Sequence, residues 1–506
     1  MEDHERDVSA ISSQVRQFHQ KQTPFRIYHG HTNSTRRPHY PKDQIIDTSN
    51  LSRILNIDVD KKTLLVEPNV PMDRMVEATL EFGLVPQVVM EFPGITVGGG
   101  FSGTAGESSS FRHGLFEHTV NWIEIVLPNG EIVTASATEN QDLFCGAASA
   151  FGTLGVITLL EVQLMQAKTY VELTYVQFES ISAAIEKIEQ ATNDLSIEYL
   201  DAIMFTRNSG LLFIGRLIDA PVDGMKVQHF SRRGDPWFYL HAQGILGANA
   251  PEPVTEAVPL TDYLFRYDRG AFWAGMYAFR YFVTPFNRIT RWILDKYMHT
   301  RVMYRALHQS GLANRYIVQD VGVPYSAAAE FLDSLDNTVG FYPIWLCPVS
   351  LRRETSYSLM GGDGPGKLLN FGIWGPGPND LDNFVQVNRM LEHKVHSLQG
   401  KKCLYAHAYY TEEEFWNIYD RQKYDALRAK YHATYLPSIY EKTRSIDVEI
   451  RRKEIKGSWI SWGLDRFWRI WPLTGLYGVL HAVLGGEYIL PSKPLRYPEK
   501  YESLKG

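Results

Sequence analysis

The sequence predicts an α+β protein of more than one domain, and three observations carry that expectation. The chain has 506 residues, too many for one core, and its 44% hydrophobic and 21% charged residues are the balance of a globular protein. Between residues 25 and 165, short apolar runs such as FRIYHG, QIIDTSN and TLLVEPNV alternate with glycine-rich turns, as strands joined by loops do. Residues 170–215 then read as strand, helix, strand (TYVELTYVQFES, ISAAIEKIEQAT, SIEYLDAIMFTRNSGLLFIGRL), which opens a second domain. The expected division is a polar leader over 1–24, a first domain over 25–168, a second over 169–445 and an aromatic tail over 446–506.

The elements follow in order. Between Pro71 and Phe82, apolar residues at Met75, Val76, Leu80 and Phe82 predict one amphipathic helix. Ile123 to Thr134 reads as a hairpin around Pro128-Asn129-Gly130. Residues 217–300 are loop-rich and end in an aromatic stretch, and residues 312–440 return to mixed strand and helix. Thr411 is a helix N-cap, and Glu412, Glu413 and Glu414 form the acidic first turn that complements the helix dipole.

Composition excludes several classes of function. A formal charge of −6 gives no basic footprint for nucleic acid. Cys145, Cys347 and Cys403 are too far apart for a disulfide framework or a zinc site, and they suit a reducing, cytosol-facing location. The acidic start, MEDHERDVSA, predicts no signal peptide. Near the other end, Ile470 to Gly486 is uncharged but only seventeen residues long and interrupted by Pro472 and glycines. A spanning helix needs about 20 residues, so an interfacial anchor is expected ahead of a buried helix or a true span.

Gly98-Gly99-Gly100-Phe101-Ser102-Gly103 satisfies the G-x-G-x-x-G spacing of a dinucleotide fold. That fingerprint must open a helix, whereas Thr104 to Ser110 are small, polar and turn-like, so the Rossmann reading is rejected. What is expected instead is a long loop of backbone N–H groups able to wrap a pyrophosphate. A Gly/Ser-rich turn by itself is more often structural.

Its context is more specific. Asp47-Thr48-Ser49-Asn50-Leu51, VEPNVPM, EFGLVPQ, PGITVGGGFSGTAGESSSFRHG, IEIVLPNGEIV, ENQDLF and FGTLGVIT follow one another in order. This series resembles the FAD domain of the p-cresol methylhydroxylase (PCMH) and vanillyl-alcohol oxidase superfamily, over about residues 25–165. The resemblance implies a PCMH-type FAD-binding domain of two α/β subdomains, followed by a mixed α+β substrate domain. It implies that Thr96, Val97, Gly98, Gly99, Gly100, Phe101, Ser102, Gly103, Thr104, Ala105, Gly106, Glu107 and Ser108 line the FAD pyrophosphate. Gly155, Val156, Ile157 and Thr158 would close over the other side of the cofactor. Arg26 to Thr32, with Gly30, His31 and Thr32, stands near the family's flavin-linking histidine loop, although one residue longer. His31 is therefore either a covalent attachment point or a loop residue near the phosphates.

Glu107-Ser108-Ser109-Ser110, His113-Gly114-Leu115-Phe116, Asp235-Pro236-Trp237-Phe238, Val318-Gln319-Asp320, Tyr342 to Pro348, Leu404-Tyr405-Ala406 and Glu413 to Trp416 resemble one branch, the delta(24)-sterol reductases. That resemblance spans about residues 25–440. It implies FAD as cofactor, NADPH as reductant, a sterol or isoprenoid substrate, and a membrane surface, at the endoplasmic reticulum facing the cytosol. The reaction that the resemblance implies is reduction of an isolated side-chain double bond. Such a bond is electron-rich, so a proton must reach C24 before or with hydride arriving at C25 from flavin N5. Aromatic faces would steady the cation, and water must be excluded. The competing function is an FAD-linked oxidase of a small alcohol or specialised metabolite, using oxygen. The oligomeric state is left open.

The candidate proton donors are Tyr409 and His407, which share one face if 404–410 is a strand; packing aromatics explain the pattern as well. Glu107 fits either proton donation or capping of the cofactor loop. Trp345 and Trp374 fit pocket walls or core, Cys347 reads as a small buried hydrophobe, and no metal site is expected. The aromatic run over 272–296 fits lipid contact, substrate contact or a buried helix pair.

Overall fold

The computed structural model describes residues 1–30, 34–36, 43–248, 253–351, 366–445 and 471–485. The α+β class expected from the sequence is the one formed. The expected polar leader is in fact a helix, α1 (Glu2–Gln20), whose Val8, Ile11 and Val15 recur at helical spacing and are buried. They pack against Ile46, Val126, Val156 and Leu436, so the leader is part of the first domain's core. The His4 ring bridges Glu67 and Glu124, at 2.9 and 3.2 Å.

Two strands, β1 (Arg26–Tyr28) and β2 (Ile45–Asp47), form a parallel pair. The main sheet of this domain uses β3 (Ile54–Asp58), β4 (Thr63–Val66), β5 (Leu84–Pro86), β6 (Val120–Val126), β7 (Ile132–Ser136) and β8 (Val156–Gln166). Its order is β3-β4-β8-β6-β7, with β5 also pairing β8. The expected hairpin is β6–β7, antiparallel with Val126 opposite Ile132. The expected amphipathic helix is α2 (Met72–Leu80), which buries Met75 and Val76.

The glycine run departs from expectation. Residues Val97–Gly103 form a short helix, α3, capped by the Thr96 hydroxyl, which accepts from Gly99 N at 3.2 Å. Each glycine costs a helix about 1 kcal/mol relative to alanine, so propensity does not hold this one together. Close packing does: a Cβ on Gly98 would come within 2.6 Å of Pro68, and one on Gly100 within 2.6 Å of Met90 and 2.9 Å of Phe116.

The second domain is an antiparallel sheet of β9 (Tyr170–Phe178), β10 (Tyr199–Thr206), β11 (Ser209–Ile218), β12 (Val254–Pro259), β13 (Tyr316–Pro324), β14 (Ile344–Ser350), β15 (Lys367–Pro376) and β16 (Lys401–Lys402). Its order is β12-β9-β11-β10-β14-β15-β13-β16. Side chains alternate along β14. Ile344 and Leu346 face helices 181–192, 328–338 and 381–397, while Trp345, Cys347 and Val349 join the core that contains Val97 and Phe101. One face of the second sheet thus closes over the first domain.

Of the expected tail, helix Leu473–Gly485 is described; 446–470 and 486–506 lie outside the described residues. It lies on helix Thr300–Ser310, where a Cβ on Gly478 would come 2.5 Å from the Ala306 carbonyl. Among the described residues, no helix is long and apolar enough to cross a membrane.

Candidate cofactor and substrate cavity

A cavity of about 890 Å³ lies between the two domains. Three kinds of wall meet in it. The first is the α3 turn, of which Thr96, Gly98, Gly99, Ser102, Gly103, Thr104, Ala105 and Gly106 line the space. Val97, Gly100 and Phe101 fall on the other side of the helix and are buried in the core. A Cβ on Gly103 would find its nearest neighbour, the Phe151 ring, at 4.0 Å, so this glycine leaves room on the cavity side.

On the opposite side, Gly155 and Ile157 line the cavity, but Val156 and Thr158 do not. Strand alternation turns Val156 into the α1 core and Thr158 toward Glu124, whose carboxylate accepts its hydroxyl at 2.6 Å. Gly155 adopts φ 150°, and a Cβ there would lie 2.6 Å from the Val126 carbonyl. His29 lines the cavity while Gly30, its neighbour, does not; His31 and Thr32 lie outside the described residues.

The second wall is cationic: Arg26 from β1, Arg36, and Lys442 and Arg444 from the far end of the second domain. Burial, with Arg26 and Arg36 close by, pushes the Lys442 ammonium down to about 7. These four basic side chains fit a pyrophosphate, and the residues present therefore suit FAD; the first α3 amides already donate to Val70, Pro68 and Thr96. Lys442 and Arg444 escaped sequence reasoning because they stand more than 400 residues from Arg36.

The third wall is aromatic. Phe272 sits 5.2 Å from Trp345 and 4.8 Å from Trp374, and Phe92 sits 5.5 Å from Trp374 and 5.9 Å from Tyr304, ring centre to ring centre. All five line the cavity, so Trp345 and Trp374 serve as walls as well as core. Cys347 lies between them as a buried thiol that donates to the Glu107 carbonyl at 3.2 Å; burial pushes its pKa well up. Two acids complete this chamber, Glu91 and Asp320. Asp320 accepts from Asn370 Nδ2 at 2.9 Å and from the Tyr405 hydroxyl.

Several expected site residues sit elsewhere. Glu107 and Ser108 are buried behind the α3 wall; the Glu107 carboxyl accepts from Ser108 Oγ at 2.7 Å and from Ser109 Oγ. Glu107 is thus tied into the turn that follows α3 and does not line the cavity. His407 and Tyr409 do not line the cavity, and 404–410 is not a strand. Their rings do stack, 6.1 Å apart. Burial, aided by Arg36 and Lys402, pushes His407 down to about 3, so it is neutral and carries no proton to give at neutral pH. The backbone N–H of Tyr409 donates to Glu392 and its carbonyl accepts from Arg389, which packs this segment against helix Leu381–Ser397, away from the cavity. Thr411 is the N-cap expected from the sequence, and it forms a capping box with Glu414. Among the described residues, no cluster of ligands could hold a metal ion.

Comparison with known proteins agrees with this architecture. Residues 4–136 match the family described as FAD binding domain, a span that includes most of α1. Delta(24)-sterol reductase of Rattus norvegicus is 29% identical over 87% of this chain and 86% of its own length. The enzyme of that name from Homo sapiens is 28% identical over the same shares. The one from Arabidopsis thaliana is 28% identical over 81% of this chain and 78% of its own. The relationship therefore runs through both domains. The chain is similar to the delta(24)-sterol reductases over most of its length and, with its matched FAD binding domain, is an FAD-dependent oxidoreductase.

Proposed function

We propose that the protein reduces an isolated side-chain double bond, C24=C25, of a sterol or sterol-like isoprenoid, with NADPH as the source of electrons. The observation that carries this is the continuity of one cavity from a glycine and cation bed to a chamber walled by Phe92, Phe272, Trp345 and Trp374. An apolar chain end fits the second part while a flavin occupies the first. The relatives' name, delta(24)-sterol reductase, points to the same bond.

The bound flavin, when reduced, supplies hydride from N5. The residues of this chain do the rest. Arg26, Arg36, Lys442 and Arg444 hold the pyrophosphate beside the open glycine face of α3, the aromatic rings exclude water and face a developing cation, and an acid in the chamber supplies a proton. With no second dinucleotide motif in the sequence, NADPH shares the exposed face of the flavin.

The protein works at a membrane surface, and the endoplasmic reticulum facing the cytosol is the proposed place. Supporting this, helix Arg288–Leu294 exposes Ile289 (70%), Trp292 (50%) and Ile293 (53%), and Leu476, Leu480 and Leu484 are exposed along helix Leu473–Gly485. The Arg233 guanidinium lies 3.9 Å from the Trp292 ring centre, a pairing suited to anionic headgroups above acyl chains.

The test is incubation of purified protein with FAD, NADPH and desmosterol. A product heavier by two hydrogens is expected. Rapid oxygen consumption with simple alcohols, and no NADPH oxidation, would point to an oxidase instead.

A further inference from the structure

We propose that Glu91 is the residue that delivers the proton to the alkene carbon. This rests on the reductase reading above and adds the donor that reading requires.

Glu91 is 8% exposed, lines the chamber, and immediately precedes Phe92, whose ring meets Phe272, Trp374 and Tyr304. Its Oε1 is buried with no hydrogen-bond partner among the described residues. A buried carboxylate oxygen left so would cost several kcal/mol, whereas a carboxylic acid tolerates the position. Three carboxyl groups, those of Glu91, Glu107 and Asp201, face Arg266 here, and Arg266 already lies 2.9 Å from Asp201. Glu107 has two serine hydroxyls. Glu91 has no such hydroxyl donors and no direct ion pair with Arg266 among the described residues. Burial, with the Glu107 charge beside it, holds its carboxyl protonated well above the usual range; its own backbone N–H and Arg266 only partly oppose this.

The other acid in the chamber, Asp320, is differently placed. Burial raises it too, but Tyr405 and Asn370 both donate to its carboxyl and favour its charged form. Its proton is therefore the harder to keep.

The step balances. The Glu91 O–H bond breaks as the alkene π pair forms a C–H bond at C24. Hydride from the reduced cofactor, recharged by NADPH, forms the C–H bond at C25. Solvent then returns a proton to the carboxylate. Phe92, Phe272 and Trp374 line the same chamber, and aromatic rings stabilise a positive charge beside them.

The experiment separates the two half-reactions. FAD-loaded wild type, E91Q, E91D and D320N are reduced anaerobically with NADPH, then mixed with desmosterol, and flavin absorbance is followed. E91Q should bind flavin and accept electrons within about threefold of wild type, yet be reoxidised by the sterol about 1000-fold more slowly. E91D should be reoxidised at an intermediate rate with an enlarged solvent deuterium effect, and D320N within about tenfold of wild type. Near-normal reoxidation of E91Q overturns the proposal, as does loss of that step in D320N alone. Should E91Q not fold, E91D decides: a normal rate without an isotope effect overturns it. Failure of desmosterol to reoxidise wild type sinks the reductase reading, and the donor role with it.

Discussion

Trp345 donates its indole N–H to Asp201 across 2.9 Å, and so joins a cavity wall to a buried charge. The same carboxylate accepts the Tyr267 hydroxyl at 2.7 Å and lies 2.9 Å from Arg266 Nη2, with both ionic partners shielded from water. D201N would leave the Arg266 guanidinium buried without its counter-charge. Removing one partner of such a pair costs about 3–5 kcal/mol, and chemical unfolding should register a loss of that size. A loss below about 1 kcal/mol would show that the pair contributes little.

The glycines of α3 separate fold from cofactor. At Gly100 a methyl group would meet Met90 and Phe116, whereas at Gly103 it would enter the open cavity. G100A should therefore lower the melting temperature of the flavin-free protein by several degrees, since overpacking costs about 1–3 kcal/mol. G103A should leave that temperature unchanged or slightly higher and weaken FAD binding about tenfold or more. Fluorescence titration with FAD, beside calorimetry on the same preparations, distinguishes them.

His4 gives stability a pH dependence. Burial lowers its pKa, but hydrogen bonds and charge from Glu124 and Glu67 outweigh that and raise it from 6.5 to about 9. The folded state thus holds this proton more tightly than the unfolded chain. Its stabilisation is complete below about pH 6.5 and is lost as pH rises through about 9, an effect on the order of 3 kcal/mol. In H4L, urea midpoints measured from pH 6 to 9.5 should no longer show that decline. An unchanged slope would place the titrating group elsewhere.

Membrane docking is checked with vesicles. Replacing Ile289, Trp292 and Ile293 by serine should weaken sedimentation with anionic vesicles by about tenfold or more, because apolar area drives such binding. Flavin content should not change, as none of the three lines the cavity. Equal binding by the variant and wild type would contradict the proposed face.

Local patterns were legible and distant ones were not. Met75 and Val76 announced α2 by period, Pro128-Asn129-Gly130 announced the β6–β7 turn, and Thr411 with Glu414 announced a helix start. The helix at 2–20 was missed although Val8, Ile11 and Val15 carried its signal; the charged residues between them hid an apolar stripe. The helical form of 97–103 had no local signal, because tertiary contacts overrule glycine propensity there. In the site, α3 was found from its glycines, but only half its residues face the cavity. His407 and Tyr409 were chosen by chemistry and lie off it, while Glu91, an acid inside the run VVMEFPG, gave no sign of itself. Only folding brings it into one cavity with Trp345 and Trp374, more than 250 residues away.

Flavin binding itself is the decisive measurement. Protein purified without added cofactor, then titrated with FAD, should be yellow or become so, with the two-banded flavin absorbance saturating at one equivalent per chain. Material that stays colourless and does not bind FAD, while circular dichroism shows it folded, would contradict the assigned chemistry.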